Sequence, residues 1–162
     1  MNPYKKIFQA FEKEKIQYLT VGGVAVNLYG YSRFTGDIDV LLALDKGNLA
    51  KVDKVMGKMG YVRRLPIEVQ ELNNKNNVKK WIKEKGMTAY TYISDKTPQL
   101  DLDILVDYSC SFDKFFKRKT VMEIWGMKIP VVALSDLIAM KKKAGRDKDL
   151  LDLKALLELK TL

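Results

Sequence analysis

Two short runs constrain the fold more than anything else in the chain: Asp37–Leu44 reads DIDVLLAL and Leu100–Val106 reads LDLDILV. Alternate side chains of an extended strand point to opposite faces, so Asp37 and Asp39 share one face. Asp101 and Asp103 share a face of the second strand, alternating with Leu100, Leu102 and Ile104. Within each pair the Cβ atoms stand roughly 6–7 Å apart. Acids among residues this apolar cost free energy unless they lie at an exposed edge or hold a cation. A wet sheet face with acids paired to lysines explains either pair alone, but two pairs in 162 residues favour a carboxylate cluster. Three or four converging aspartates suit magnesium, which prefers carboxylate and water oxygens.

The rest of the chain predicts what surrounds these strands. Tyr4, Ile7, Phe8, Phe11 and Ile16 recur at helical spacing, which places an amphipathic helix over 3–15. Ile16–Val21 reads as a strand running into a tight Gly22-Gly23 turn, and Val24–Tyr31 as a short buried helix. Lys46–Met59 is a helix stopped by Gly60, and Tyr61-Val62 begins another strand. A helix is expected at 76–85, after a polar stretch from 66. Residues 87–93 and 100–106 form a hairpin across SDKTPQ. A short helix at 112–119, a hairpin at 121–132 turning on Gly126, a helix capped by Ser135 and a last helix at 148–159 complete the pass. Together they predict one α/β (α+β) domain over 1–162, with a mixed, largely antiparallel sheet flanked by helices. Its core spans about 16–108, and a C-terminal hairpin and helices span about 111–160.

Composition narrows the chemistry. The chain has no histidine, which excludes Ser-His-Asp triads, Cys-His dyads and histidine-ligated zinc. Its one cysteine, Cys110, excludes an internal disulfide, and no candidate base accompanies it. A net charge of +9 points to a polyanionic partner or to plain solubility. No apolar run approaches the ~20 residues of a membrane span, and the N-terminus lacks the apolar stretch of a signal peptide. A cytoplasmic chain with no membrane partner is therefore expected.

The segment Val21-Gly22-Gly23 through Arg33-Phe34-Thr35-Gly36-Asp37-Ile38-Asp39 ties these features together. A Gly-Gly turn lets backbone N–H groups approach an anion, Arg33 is a fixed cation suited to phosphate, and Thr35 brings a hydroxyl close to the acids. In this order they resemble the minimal nucleotidyltransferase superfamily, with the DNA polymerase β-like fold. That superfamily joins a Gly-Gly or Gly-Ser turn, a short helix, an Asp-x-Asp strand and a third acid on a later strand. The run Gly-Gly-x-Ala-Val…Arg-x-Thr-x-Asp-Ile-Asp-Val is similar to the Gly-Gly branch related to AbiEii-type and aminoglycoside-type nucleotidyltransferases. The tail Leu134-Ser-Asp-Leu-Ile-Ala-Met-Lys…Ala-Gly-Arg-Asp-Lys-Asp-Leu-Leu-Asp-Leu is similar to that branch too. Thirteen residues separate Gly23 from Asp37, more than in the shortest members, and Gly23 stands where many members carry serine.

The resemblance implies a palm-like sheet with C-terminal helices, and magnesium-dependent transfer of a nucleoside monophosphate from an NTP, with ATP expected, to a hydroxyl. Asp37, Asp39 and Asp103 would hold one or two Mg2+ ions. Asp101 is the alternative third acid, and Asp107 reads as surface. Gly22 and Gly23 would cradle the β,γ-phosphates, helped by Arg33, Thr35, Lys141 and Arg146. The acceptor would be a protein, an RNA end or a small molecule, with a toxin–antitoxin partner expected. A non-catalytic module binding nucleotide, RNA or a partner through the same fold is the alternative. Asp149 and Asp152 are expected to pair with the neighbouring cations. Lys75, Lys79, Lys80, Lys83 and Lys85 around Trp81 read either as a nucleic-acid surface or as a solvated face with the tryptophan packed inward.

Overall fold

The computed structural model describes residues 2–96, 99–107 and 112–162. Strand β1 (Tyr18–Val21) leads into helix α2 (Gly22–Leu28), which follows α1 (Pro3–Lys13) in chain order. Then come β2 (Asp37–Leu42), α3 (Lys46–Lys58), β3 (Val62–Arg63), a 3-10 turn at Val69–Asn73, α4 (Lys75–Lys85), β4 (Ala89–Ile93) and β5 (Asp101–Leu105). The chain closes with α5 (Phe112–Lys117), β6 (Thr120–Ile124), β7 (Met127–Val131), α6 (Leu134–Ala144) and α7 (Asp147–Lys160). One sheet runs in the order β3-β4-β5-β2-β1-β7-β6, and four of its six pairings are antiparallel. The mixed, largely antiparallel sheet with flanking helices is thus the architecture observed.

Local chemistry explains most boundaries. Asn2 caps α1 by accepting the Tyr4 N–H at 2.9 Å, Pro3 opens the helix, and Ile7, Phe8 and Phe11 turn inward. The side chain of Asn74 accepts the N–H groups of Asn76 and Asn77 at the start of α4, and Gly86 ends it in the left-handed region at φ 61°. Trp125 and Gly126, at φ 54° and 74°, make the two-residue turn joining β6 and β7. Both positive φ values match the twist of a tight hairpin. The Trp125 ring lies 6.4 Å from Phe8, which gives the strained turn a packing partner.

Three expectations need correction. Ser135 does not cap its helix: α6 begins at Leu134, with Ala133 at the cap, its carbonyl accepting the Leu137 N–H at 2.9 Å. Gly22 and Gly23 do not precede α2 but form its first turn, because Gly22 takes φ +64° and turns the chain straight from strand into helix. The polar stretch after residue 66 holds the 3-10 turn, anchored by buried Val69 and Leu72. Thr97 and Pro98 of the expected SDKTPQ turn, and Cys110, lie outside the described residues.

Candidate active site

β2 is the middle strand of the seven, with β1 antiparallel on one side and β5 parallel on the other. Ile38 and Val40 are fully buried while Asp37 and Asp39 are only half-buried, so one face of the strand packs and the other carries acid. The parallel register sets Asp37 beside Asp101 and Asp39 beside Asp103. Carboxylate oxygens of Asp37, Asp39 and Asp103 come within 4.8 Å of one another. The Thr91 hydroxyl, one strand further on, donates to Asp103 Oδ1 at 2.6 Å and fixes its rotamer. Asp101 stands apart from the triad. Its carboxylate accepts the Ser94 N–H at 3.1 Å and the Gln99 amide, and Arg64 Nη2 lies 3.6 Å away.

The glycine pair touches the triad directly. A Cβ on Gly22 would collide with the Asp39 carboxylate, and its φ of +64° already favours glycine. A Cβ on Gly23 would stand 2.7 Å from Thr35 Oγ1 and 3.0 Å from Arg33 Nη2. The loop carrying both is pinned from two directions. The Tyr4 hydroxyl donates to the Thr35 carbonyl at 2.5 Å, and the Arg33 N–H donates to Asn27 Oδ1 at 3.1 Å. Thr35 Oγ1 lies 3.4 Å from Asp37 Oδ1.

The cations form a second cluster beside the first. Arg33 grips Asp152 with both prongs, at 2.7 and 2.8 Å. Lys141 is buried, its ammonium 2.9 Å from Asp152 and 3.1 Å from Asp149. Arg146 Nε meets Asp149 at 2.6 Å. Asp149 and Asp152 pair with these cations as expected, at i and i+3 on the inner face of α7. Three cations against two carboxylates leave a surplus positive charge facing the acids. Sequence reasoning had no signal for Thr91 or Tyr4, whose roles depend on strand pairing and on the fold of α1. The five α4 lysines are exposed and Trp81 packs against the core.

The charges perturb one another. Burial, then the charges of Asp37 and Asp103, push the Asp39 carboxyl up to about 7 despite the opposing pull of Lys141. Burial also raises Asp103, against the lowering effect of the Thr91 hydrogen bond. Asp149 is affected oppositely. Burial pushes it up, but the hydrogen bonds and charges of Arg146 and Lys141 prevail and bring it down to about 2. A carboxyl raised in the folded state stabilises most below its unfolded value and loses that contribution as pH climbs through 7. The metal-free protein is therefore expected to melt at progressively lower temperature from about pH 5 to 8, through Asp39. Magnesium at pH 8 should reverse the fall, because ligation rewards the ionised triad. A melting series with chelator and with Mg2+ checks both signs.

Three clustered oxygens with a raised proton affinity, and no nitrogen or sulfur donor among them, fit a hard divalent cation.

The same architecture occurs in solved nucleotidyltransferases. Lincosamide antibiotic adenylyltransferase LnuA with lincomycin bound aligns over 96% of each chain at 18% identity and TM-score 0.62. ANT(2'')-Ia in complex with adenylyl-2''-tobramycin aligns over 94% of this chain and 84% of its own, at 11% identity and TM-score 0.58. An antigenic nucleotidyltransferase-like protein from Paracoccidioides brasiliensis aligns over 94% and 72%, at 15% identity and TM-score 0.55. The fold is that of a nucleotidyltransferase. The profile of the nucleotidyl transferase AbiEii toxin family, of type IV toxin–antitoxin systems, matches residues 10–162, and the chain belongs to that family. No curated protein sequence matches it at a significant level. Among the described residues no helix is long and apolar enough to cross a membrane.

Proposed function

We propose that the chain transfers a nucleoside monophosphate from an NTP, with ATP as the donor, to a hydroxyl, releasing pyrophosphate. The observation that carries this reading is the convergence of Asp37, Asp39 and Asp103 within 4.8 Å beside the Gly22-Gly23 turn. Those three aspartates would hold magnesium, which on binding neutralises triphosphate charge and polarises the α-phosphate. Gly22 and Gly23 present backbone N–H groups to the β,γ-phosphates at a place where a side chain would obstruct them. Arg33, Lys141 and Arg146, already oriented by Asp149 and Asp152, supply the countercharge, and Thr35 offers a hydroxyl. Asp103, its proton affinity raised by burial, takes the acceptor's hydroxyl proton. The hydroxyl oxygen bonds to the α-phosphorus as the bond to the bridging oxygen breaks, and pyrophosphate leaves in line.

Adenylyl transfer by two antibiotic-modifying proteins of this fold supports ATP as donor. Membership of a toxin–antitoxin family supports a macromolecular acceptor, a protein or an RNA end, and an antitoxin partner in the cytoplasm. The test is transfer of label from each α-labelled NTP into a cell extract, with magnesium and with chelator. Magnesium-dependent labelling, strongest with ATP, is expected. Absence of labelling by all four NTPs together with absence of triphosphate binding in calorimetry would leave a non-catalytic module.

A further inference from the structure

The charge on α4 is arranged against that helix's own stability. Its 11 residues carry Lys75, Lys79, Lys80, Lys83 and Lys85 against a single acid, Glu84. A surplus of four positive charges thus sits on one helix of a chain whose total is +9. Lys75, Lys79 and Lys83 repeat at i, i+4 and i+8, a stripe of like charges that repel one another. Lys75 also occupies the first turn, where the helix dipole favours acids and where α4 has none. All five lysines are exposed, and none forms an ion pair among the described residues. An external polyanion would relieve each of these unfavourable terms.

The geometry favours a phosphate backbone over other anionic surfaces. Val78, Trp81 and Ile82 pack into the core, so the outer face offers ammonium groups with Asn76 and nothing apolar to enter a lipid layer. Lysines are mobile point charges that neutralise phosphates without reading bases. Lys85 lies six residues from Thr91, whose hydroxyl holds Asp103, and so within about 20 Å of it along the chain. One strand of nucleic acid can therefore span both places.

We propose that the exposed face of α4 is a docking surface for the sugar–phosphate backbone of a nucleic acid, separate from the aspartate triad and independent of whether that triad transfers nucleotides. The test measures binding of a fluorescent mixed-sequence oligoribonucleotide of roughly 20 nucleotides across a KCl series. K79E/K83E is expected to weaken binding at least tenfold and to flatten the salt dependence by about 1.5 in log–log slope. K51E/K154E, an equal change of charge on exposed positions of α3 and α7, should stay within about threefold of wild type. K79E/K83E should also melt no lower than wild type, since it breaks the like-charge stripe, so lost binding is not lost fold. Equal weakening by both double variants overturns the proposal. So does displacement of the oligonucleotide by Mg-ATP, or binding to anionic phosphatidylserine vesicles without binding to the oligonucleotide. Calorimetric ATP binding on the same proteins reports on the triad separately: wild type that binds oligonucleotide but no ATP sinks the transferase reading and leaves the α4 surface standing.

Discussion

Asp39→Asn is expected to cut magnesium-dependent nucleotidyl transfer by about a thousandfold or more while leaving the metal-free protein at least as stable as wild type. The two signs come from one cause. Asp39 stands on the central strand between two other carboxylates, and burial with their charges pushes it up to about 7. Asparagine keeps the shape but carries no charge, so repulsion within the triad falls and a hard cation loses a charged ligand. At pH 8 the metal-free variant should melt at or above wild type, and magnesium should raise the melting temperature of wild type alone. Asp101→Asn is the matched comparison. Asp101 shares the strand face but is engaged by Ser94, Gln99 and Arg64, so transfer should change by less than about threefold. Undiminished transfer in Asp39→Asn would remove that residue from the mechanism. A large drop in metal-free stability would make its carboxylate a structural group.

What was readable in the sequence was whatever is written locally. The alternation in DIDVLL and DLDIL placed the acids on common strand faces, and the glycine pair before a short helix marked the turn beneath them. Gly126 marked a hairpin and Gly86 a helix end, each because a single residue decides the local backbone. The choice between Asp101 and Asp103 was not local, since both alternate correctly. The third member of the triad emerges from the partners each acid finds, Thr91 for one and Ser94 with Gln99 for the other. The anchoring of Arg33 was equally invisible, because its carboxylate lies 119 residues away on α7. Ser135 misled because serine is a favoured cap, whereas the entry from β7 put Ala133 at that position instead.

Asp152→Ala is expected to cost about 3–5 kcal/mol of folding stability, and to be the substitution most readily rescued by a nucleotide. The side chain is fully buried and holds three charge-assisted contacts, two from Arg33 and one from Lys141. Burial alone would raise its carboxyl, but the hydrogen bonds and charges of Arg33 and Lys141 prevail and hold it below the ordinary value. Its contribution is present above about pH 4 and fades as pH falls, so the deficit of the variant should shrink in acid. Alanine removes the anion and leaves the buried Lys141 ammonium with Asp149 as its remaining carboxylate partner. At roughly 2–4 °C per kcal/mol for a chain of this size, the melting temperature should fall by about 10 °C. The surplus positive charge beside the Gly22-Gly23 turn then rises from one to two, which makes the site a stronger trap for anions. Inorganic triphosphate should therefore raise the melting temperature of Asp152→Ala by more than it raises that of wild type. An equal shift in both would mean that Arg33 and Lys141 clamp α7 to the loop without meeting the triphosphate. A larger shift in the variant places both cations where the nucleotide's charge must lie.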